Sequence, residues 1–487
     1  GFAYFSPAHG YSLQCTFLGL FAVLMGTNEA LKKEAVAAIE AGRLLAFGVS
    51  EKNHGSDILA NEFSITPDSD GGYIANGSKY YIGNANCAAI ISVLARRADQ
   101  RRSARAPSCL VALRPDTISA WKPRKIDTLG VRAAFVGDFE VKEQSISKSD
   151  LIADGRDAWN AVLGTVSLGK FFLGFGSIGI CEHAFEEAMQ HMSARVLYGK
   201  PVIQMPHIRF MAAQAFARLT AMKIYAYRAL DYVHAASAED RRYLFYCAVQ
   251  KAKVSTEGVK VMSLLLECVG AKGLESDTYF EMAVRDVQLI PGLESSMHIN
   301  LVMAAQFGKT YFSRTAAEVS DPGSLVTEEI PSVENDYLMH ADIGHTNAVA
   351  FGHFLKAYRP LKAIRNVRKF VRQAKAFAKR IRRPSQENAS DTRLALATGQ
   401  CLAIIAYAEL IAQSASRLSM PAEIISAIFH FLVGDLSAAA MAMISLPGMS
   451  SADRAFLRPM IVLPKTSDAD WDFVVARMGR TPVKREP

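Results

Sequence analysis

Apolar and polar positions follow one another along this chain in three textures. Residues 11–46 read as helix. Leu18–Met25 is an apolar run, and Asn28–Gly42 mixes charges with alanines, with Gly42 placed as a helix C-cap. From Phe47 to about Val141 the pattern changes to short runs of β-branched and aromatic residues separated by Gly, Asn and Asp. Glu62–Thr66, Tyr73–Asn76, Ser78–Ile82, Ala89–Ala95, Ser108–Arg114 and Phe135–Val141 are the expected strands, and Asp70-Gly71-Gly72 is a hairpin turn. From Asp157 onward the three- and four-residue period of helices takes over, over about 157–193, 205–236, 239–270 and 295–312. Asp321–Ala341 reads as a loop-rich connector. Beyond it lie an amphipathic helix within 356–383 ended by Pro384, a break to Asp391, and apolar helices at about 391–417 and 421–445. The order predicts an α+β protein: N-terminal helices over 1–46, a β domain over 47–150, a helical bundle over 151–315 and a helical extension over 316–487.

Composition narrows the class. With 487 residues, half of them apolar, 21% charged and a mean hydropathy of +0.10, the chain has material for two to four packed domains and is too apolar to be disordered. No transmembrane helix is expected, because the best apolar stretch, Cys401–Ala412, is short and carries Glu409. Seven cysteines without a CxxC pair fit a reducing compartment and no structural zinc, so no metal is expected. No signal-peptide pattern is visible. The chain opens at Gly1, which leaves targeting unread; a cytoplasmic location is expected, with peripheral membrane contact as an option.

The net charge of +8 is local. Twelve of the 55 Lys and Arg lie between Lys356 and Arg383 with no acid among them; outside that segment 43 bases face 47 acids. Ile364, Val367, Phe370, Val371, Ala374, Phe377, Ala378 and Ile381 recur there on one helix face. Three readings stay open for such a helix: a surface helix packed by its apolar stripe, attachment to an anionic membrane, or an acidic protein or nucleic-acid partner. Nucleic acid is the weakest of these, since no aromatic interleaving suited to base stacking is present.

Three motifs carry chemistry in the β region. The first is Phe47-Gly48-Val49-Ser50-Glu51-Lys52-Asn53-His54-Gly55-Ser56-Asp57, a strand running into a polar turn. The second, Gly72-Tyr73-Ile74-Ala75-Asn76-Gly77-Ser78-Lys79-Tyr80-Tyr81-Ile82-Gly83-Asn84, is a hairpin leading into aromatics, and the third, Gly130-Val131-Arg132, precedes a strand ending Asp138-Phe139-Glu140-Val141. Read alone, each is an ordinary turn or strand end. In this order they resemble the middle domain of the acyl-CoA dehydrogenase family. The helical half supports the resemblance: Arg195-Val196-Leu197-Tyr198-Gly199-Lys200-Pro201 looks like the family's R-x-x-F-G-x-P, Glu267-Cys268-Val269-Gly270-Ala271-Lys272-Gly273 like its Q-x-x-G-G-x-G, and Arg285-Asp286 like its RD pair. The likeness runs from about Tyr11 to Phe312 and takes in only the last part of the family's N-terminal helical domain.

The resemblance implies a barrel-like middle domain, FAD as cofactor, and oxidation of an acyl thioester to its trans-2-enoyl form. Glu294, nine residues after Arg285, falls at the family's catalytic base; without the family it reads as a first-turn acid at a helix start. By the same resemblance Phe47, Val49 and Ser50 would hold the isoalloxazine edge, and Ser56 would face the diphosphate or acyl carrier. Tyr81 and Gly83 would stand where an aromatic and a Thr touch flavin, Arg195 and Tyr198 would reach a partner subunit's FAD, and Gly270, Ala271 and Gly273 would admit the adenine end. Implied partners are acyl-CoA or an acyl-carrier protein, an electron-transfer flavoprotein or other acceptor, and a second copy of the chain in a homodimer or larger oligomer. Some very-long-chain members carry a helical C-terminal extension that touches a membrane, a role that would suit 356–383. The chain departs from the pattern at Lys52, His54, Lys170, Pro206, Glu267 and Ser295-Ser296 and at Gly83, which lacks the usual hydroxyl. These departures mark a divergent branch and weaken any reading of substrate length. The alternatives are a flavin oxidase or monooxygenase of the same fold, against which Glu294 counts, and a non-catalytic flavoprotein-like scaffold or nucleic-acid- or membrane-binding protein. The lack of a G-x-S-x-G elbow argues against a triad hydrolase.

Overall fold

A computed structural model describes residues 1–98, 108–118, 121–313, 319–325, 336–343, 349–383 and 391–478. The break expected at 384–390 and part of the 321–341 connector lie outside the described residues. The chain forms two compact units, Gly1–Phe172 with Glu334–His345, and Leu173–Val333 with Thr346–Pro487.

In the first unit the helix Glu29–Glu40 starts on an Asn28 side chain that accepts from the Leu31 N–H. It stops where the sequence places a glycine: Gly42 sits at φ 73°, its N–H bonds the Ile39 carbonyl, and the Arg43 N–H reaches back to Ala38. Among the described residues the sheet that follows has eight strands: β1 (Leu44–Gly48), β2 (Ser64–Pro67), β3 (Tyr73–Gly83), β4 (Ala88–Arg97), β5 (Ser108–Leu113), β6 (Arg124–Lys125), β7 (Val136–Ile146) and β8 (Leu151–Asp154). Their order is β6-β7-β3-β2-β4-β5-β8, with β1 laid parallel on β4. Ala46, Phe63, Ile65, Val93, Val111 and Phe139 belong to the core of this unit. The helix Pro7–Leu24 lies against β1 so closely that a Cβ at Gly19 would meet the Ala46 carbonyl oxygen at 2.6 Å.

One expected break is absent. Tyr73–Asn76 and Ser78–Ile82 are a single strand, and Gly77 is a register irregularity inside it rather than a turn. Gly77 sits at φ 141°, and a side chain there would run into Phe63 at 2.8 Å. Close backbone approach, not chain reversal, is the reason for the glycine.

The second unit holds the distal part of the long helix Gly155–Ala194, followed by Pro206–His234, Tyr243–Val249, Ser255–Val269, Tyr279–Leu289 and Met297–Gln306. The extension adds Arg365–Ile381, Thr392–Arg417, Ala422–Ile444, Ser451–Leu457 and Asp468–Val475. The helix expected over 239–270 is interrupted by a π turn at Gln250–Val254, which aims two lysines into the interior. There Lys253 pairs with Glu257 at 2.8 Å and Asp435 at 2.9 Å, and Arg218 pairs with the same acids at 2.6 and 3.0 Å. These buried charges join the bundle to the extension helix carrying Asp435.

Two further expectations change. The basic helix is shorter than 356–383: it runs Arg365–Ile381, preceded by a single 3-10 turn at Lys356–Tyr358, because Pro360 and extended Ile364 delay its start. Three helices, Gly155–Ala194, Thr392–Arg417 and Ala422–Ile444, are long and apolar enough to cross a membrane by length and composition, where none was expected. Between 67 and 72% of their most apolar windows is buried inside the protein, as in core helices.

Candidate active site

The first motif begins where β1 ends. Val49 is buried and Phe47 and Ser50 are half-buried. What fixes this strand end is Lys79, from the middle of β3. It is 0% exposed, and its Nζ donates to the Val49 carbonyl at 3.1 Å, Glu51 Oε1 at 2.9 Å and Asn61 Oδ1 at 2.5 Å. Glu51 in turn accepts from the backbone N–H of Glu62 and Phe63 at 2.8 and 2.9 Å. Burial pushes the Lys79 ammonium down to about 8, against the opposing pull of Glu51. Burial acts to raise Glu51, but Lys79 and the two N–H donors outweigh it and leave the carboxyl below its usual range. The turn's first acid therefore serves as a structural anion. Glu51, His54 and Glu62 also bring possible ligand atoms within 4.8 Å of one another. Glu51 is already committed to an ammonium and two amides, which argues against a cation there.

Ser50 connects the first motif to the second. Its hydroxyl donates to the Tyr80 carbonyl at 2.6 Å, and the Tyr80 N–H bonds the Ser50 carbonyl at 2.9 Å. Tyr81 follows at a β3–β7 irregularity with φ 63°, a region costly for an aromatic residue, and its side chain is 58% exposed. Phe47, Val49, Ser50 and Tyr81 are thus gathered at one end of the sheet. Gly83 is buried for a reason the sequence did not reveal: a Cβ there would overlap Cys15 Sγ and lie 3.1 Å from Tyr11. The helix Pro7–Leu24 fills the space a Thr would need. Asn84 holds that helix through Ser12 and Thr16, at 2.8 and 3.1 Å. Ser56 is exposed farther along the turn.

In the second unit Arg195 precedes a two-residue hairpin, Val196–Leu197 paired with Lys200–Pro201, whose tip residues Tyr198 and Gly199 have φ 51° and 76°. That is the primed turn a tight hairpin requires, with Tyr in a position better suited to Asn or Gly. Tyr198 is 94% exposed and Arg195 is exposed beside it. Pro206 begins the next helix at its first position, where its missing N–H leaves no helical bond unmade. Gly270, Ala271 and Gly273 share one 3-10 turn. Gly270 is there for its φ of 69°, and Gly273 because a Cβ would meet Leu266 at 2.8 Å.

Glu294 occupies a turn pinned at both ends. Upstream, buried Lys251 from the π turn donates to the Ile290 carbonyl at 2.6 Å. Downstream, the Ser296 hydroxyl caps the helix Met297–Gln306, and buried Asn300 donates to the Ser296 carbonyl at 3.0 Å. Between these anchors Glu294 and Ser295 stand at φ 50° and 74°, two successive non-glycine residues in the left-handed region. Glu294 is half-buried at the N-terminal end of that helix. Nearby, Arg285 is held by Glu281 at 2.6 Å. Sequence reading missed Lys79, Asn61, Cys15, Lys251 and Asn300. For Lys251 the available signal was a lysine pair inside the apolar run Phe245–Val254.

Two family models match the chain: "Acyl-CoA dehydrogenase, middle domain" over residues 46–143 and "Acyl-CoA dehydrogenase, C-terminal domain" over 157–319, together just over half of it. The chain belongs to the acyl-CoA dehydrogenase family. Among curated relatives, it is 24% identical to cyclohex-1-ene-1-carbonyl-CoA dehydrogenase of Syntrophus aciditrophicus over 56% of this chain and 64% of that protein. It is also 24% identical to 3-(aryl)acrylate reductase of Clostridium sporogenes, over 60% of this chain and 75% of that one. The chain thus spans under two thirds of the first relative's length. Among solved structures, an acyl-CoA dehydrogenase of Bacillus anthracis complexed with FAD overlays with a TM-score of 0.74 at 14% identity, covering 95% of this chain and 80% of that one. The acyl-CoA dehydrogenase fold therefore continues into the helical extension.

Proposed function

We propose that the protein oxidises an acyl thioester, carried on CoA or on an acyl-carrier protein, to the trans-2-enoyl thioester, with FAD as the hydride acceptor. The pinned, strained turn carrying Glu294 is the observation that supports this most, because backbone strain of this kind persists where the surroundings over-determine it. The residues present suit a flavin: Tyr81 carries an exposed aromatic ring, and its neighbour Tyr80 is hydrogen-bonded through its backbone to Ser50, so an apolar ring and the polar strand end belong to one stretch of chain. Phe47, Val49, Ser50 and Tyr81 would hold the ring edge, with Gly83 contributing backbone alone and Ser56 facing the diphosphate or carrier. Gly270, Ala271 and Gly273 would admit the adenine end, and Arg195 and Tyr198 would reach a partner subunit's FAD. When bound, FAD supplies a two-electron acceptor for the β-hydride.

Glu294 would take the α-proton at its carboxylate, and its own N–H would donate to the thioester carbonyl as charge builds there. An electron-transfer flavoprotein or another acceptor would then receive the electrons. The free cysteines, six of them buried, suit a reducing compartment such as the cytoplasm. Anaerobic absorbance with acyl-CoAs of increasing length, for wild type beside Glu294→Gln, tests this reading. Bleaching of the oxidised-flavin band in wild type alone is expected, with turnover lowered by about 10²–10⁴-fold in the variant. Equal bleaching in the two proteins would remove Glu294 as the base.

A further inference from the structure

Residues two apart along a helix point to opposite sides of it, and in the π turn Gln250–Val254 two buried lysines use this to meet different neighbours. Lys251 donates to the Ile290 carbonyl, the upstream anchor of the turn that carries Glu294. Lys253 pairs with Glu257 and with Asp435, which belongs to the extension helix Ala422–Ile444. The two acids are not equivalent. Glu257 lies on the helix that continues from the π turn and moves with it, whereas Asp435 ties the ammonium to a separate element. A second extension helix, Thr392–Arg417, adds the Tyr407 ring 5.6 Å from the same ammonium. The turn itself is closely fitted: the Ser255 hydroxyl donates to the Lys251 carbonyl, and a Cβ at Gly174 would overlap the Gln250 side chain.

The downstream anchor leads to the extension too. Gly399 lies so close to the helix Met297–Gln306 that a Cβ there would overlap the Leu301 carbonyl oxygen. Between the anchors, left-handed backbone at Glu294 and Ser295 persists only while its surroundings over-determine it. We infer that Asp435 is a positioning residue for Glu294 and acts through the π turn. Its carboxylate holds Lys253, Lys253 fixes the turn, and the turn aims Lys251 at the Ile290 carbonyl. Loss of that hold lets the strained segment relax. The consequence for the reaction rests on the proposed role of Glu294 as base; the mechanical link does not.

Hydrogen exchange reads the link, and flavin bleaching reads its consequence. In the whole chain, backbone amides within residues 290–300 should exchange several-fold faster in Asp435→Asn, and faster still in Lys251→Met. With saturating acyl-CoA, the rate constant of bleaching should fall by about 10²-fold in Lys251→Met, the loss expected for a misplacement of about 1 Å, and by less in Asp435→Asn. The half-saturating acyl-CoA concentration and the flavin content should stay as in wild type. The double variant should bleach no more slowly than Lys251→Met, because Asp435 acts through that lysine. Ser450→Ala removes the N-cap of the extension helix Ser451–Leu457; it should lower the melting temperature and leave bleaching and exchange at 290–300 as they are. Unchanged exchange in Asp435→Asn, additive slowing in the double variant, or equal slowing in Ser450→Ala would each overturn the inference. A wild type that no acyl-CoA bleaches, with exchange at 290–300 still quickened by Asp435→Asn, would remove the proposed chemistry and leave the link standing.

Discussion

Two buried lysines show how differently one charge can be housed. Lys79, in the first unit, faces a single carboxylate, Glu51, and two neutral oxygens; burial wins, and its ammonium is pushed down to about 8. Lys253, in the second unit, faces two carboxylates, Glu257 and Asp435. Although burial and Arg218 oppose it, its ammonium is held above the usual lysine range. The acids respond in kind. Burial raises Glu257, but Lys253 and Arg218 overcome this and hold it at about 2. The balance of anions to cations, not burial alone, decides which groups keep their charge. The roles differ as well: Lys79 fixes the strand end at Val49, whereas the Lys253 cluster joins the extension to the bundle.

Removing one anion from the richer cluster should have the largest effect. Asp435→Ala leaves Arg218 and Lys253 sharing Glu257, and a loss of about 3–5 kcal/mol is expected in urea unfolding. Asp435→Asn, which keeps a hydrogen-bond acceptor, should lose less. Lys79→Met strands Glu51 but leaves it two backbone donors, so about 3 kcal/mol is expected, the low end of that range. If Lys79 positions the Val49–Ser50 backbone for a ligand, flavin affinity measured by fluorescence quenching falls along with stability.

Glu409 sharpens the contrast, because among the described residues no cation forms an ion pair with it and Arg242 and Arg228 act on it only weakly. Burial pushes its carboxyl up to about 7, while the hydroxyl of Tyr311 and the amide of Gln413 pull the other way. A carboxyl whose folded value lies above its unfolded value contributes stability that is complete below about 4.5 and lost as pH rises through about 7. Thermal melts between pH 4.5 and 7.5 should therefore show a decline of about 3 kcal/mol that Glu409→Gln removes. A variant declining as steeply as wild type would mean that another group carries the effect.

The fold was more legible in the sequence than the site. Turn glycines and apolar periods marked the elements of both units, and Gly42 ends its helix as its position suggested. Side-chain contacts from distant segments were hidden. Nothing near Gly83 announces that Cys15 fills the space above it, and nothing near Ile290 shows that Lys251 will reach its carbonyl. The basic helix was ambiguous for a related reason. Its pattern reveals an apolar face but not whether protein or lipid covers it, and packing against two extension helices settles that.

The smallest expected effect separates strain kept for chemistry from strain without purpose. Ser295 follows Glu294 at φ 74°, where the family pattern has glycine. A non-glycine residue there costs about 1 kcal/mol relative to glycine, so Ser295→Gly should raise stability by that amount, less a few tenths for the freer unfolded chain. If the serine only fills the turn, the variant melts higher and bleaches with acyl-CoA as wild type does. If serine helps hold Glu294 in place, the same variant melts higher but reacts more slowly, because a glycine lets the turn relax about its two anchors at Ile290 and Ser296. Stability and rate moving in opposite directions would identify the strain at Glu294 as part of the catalytic geometry.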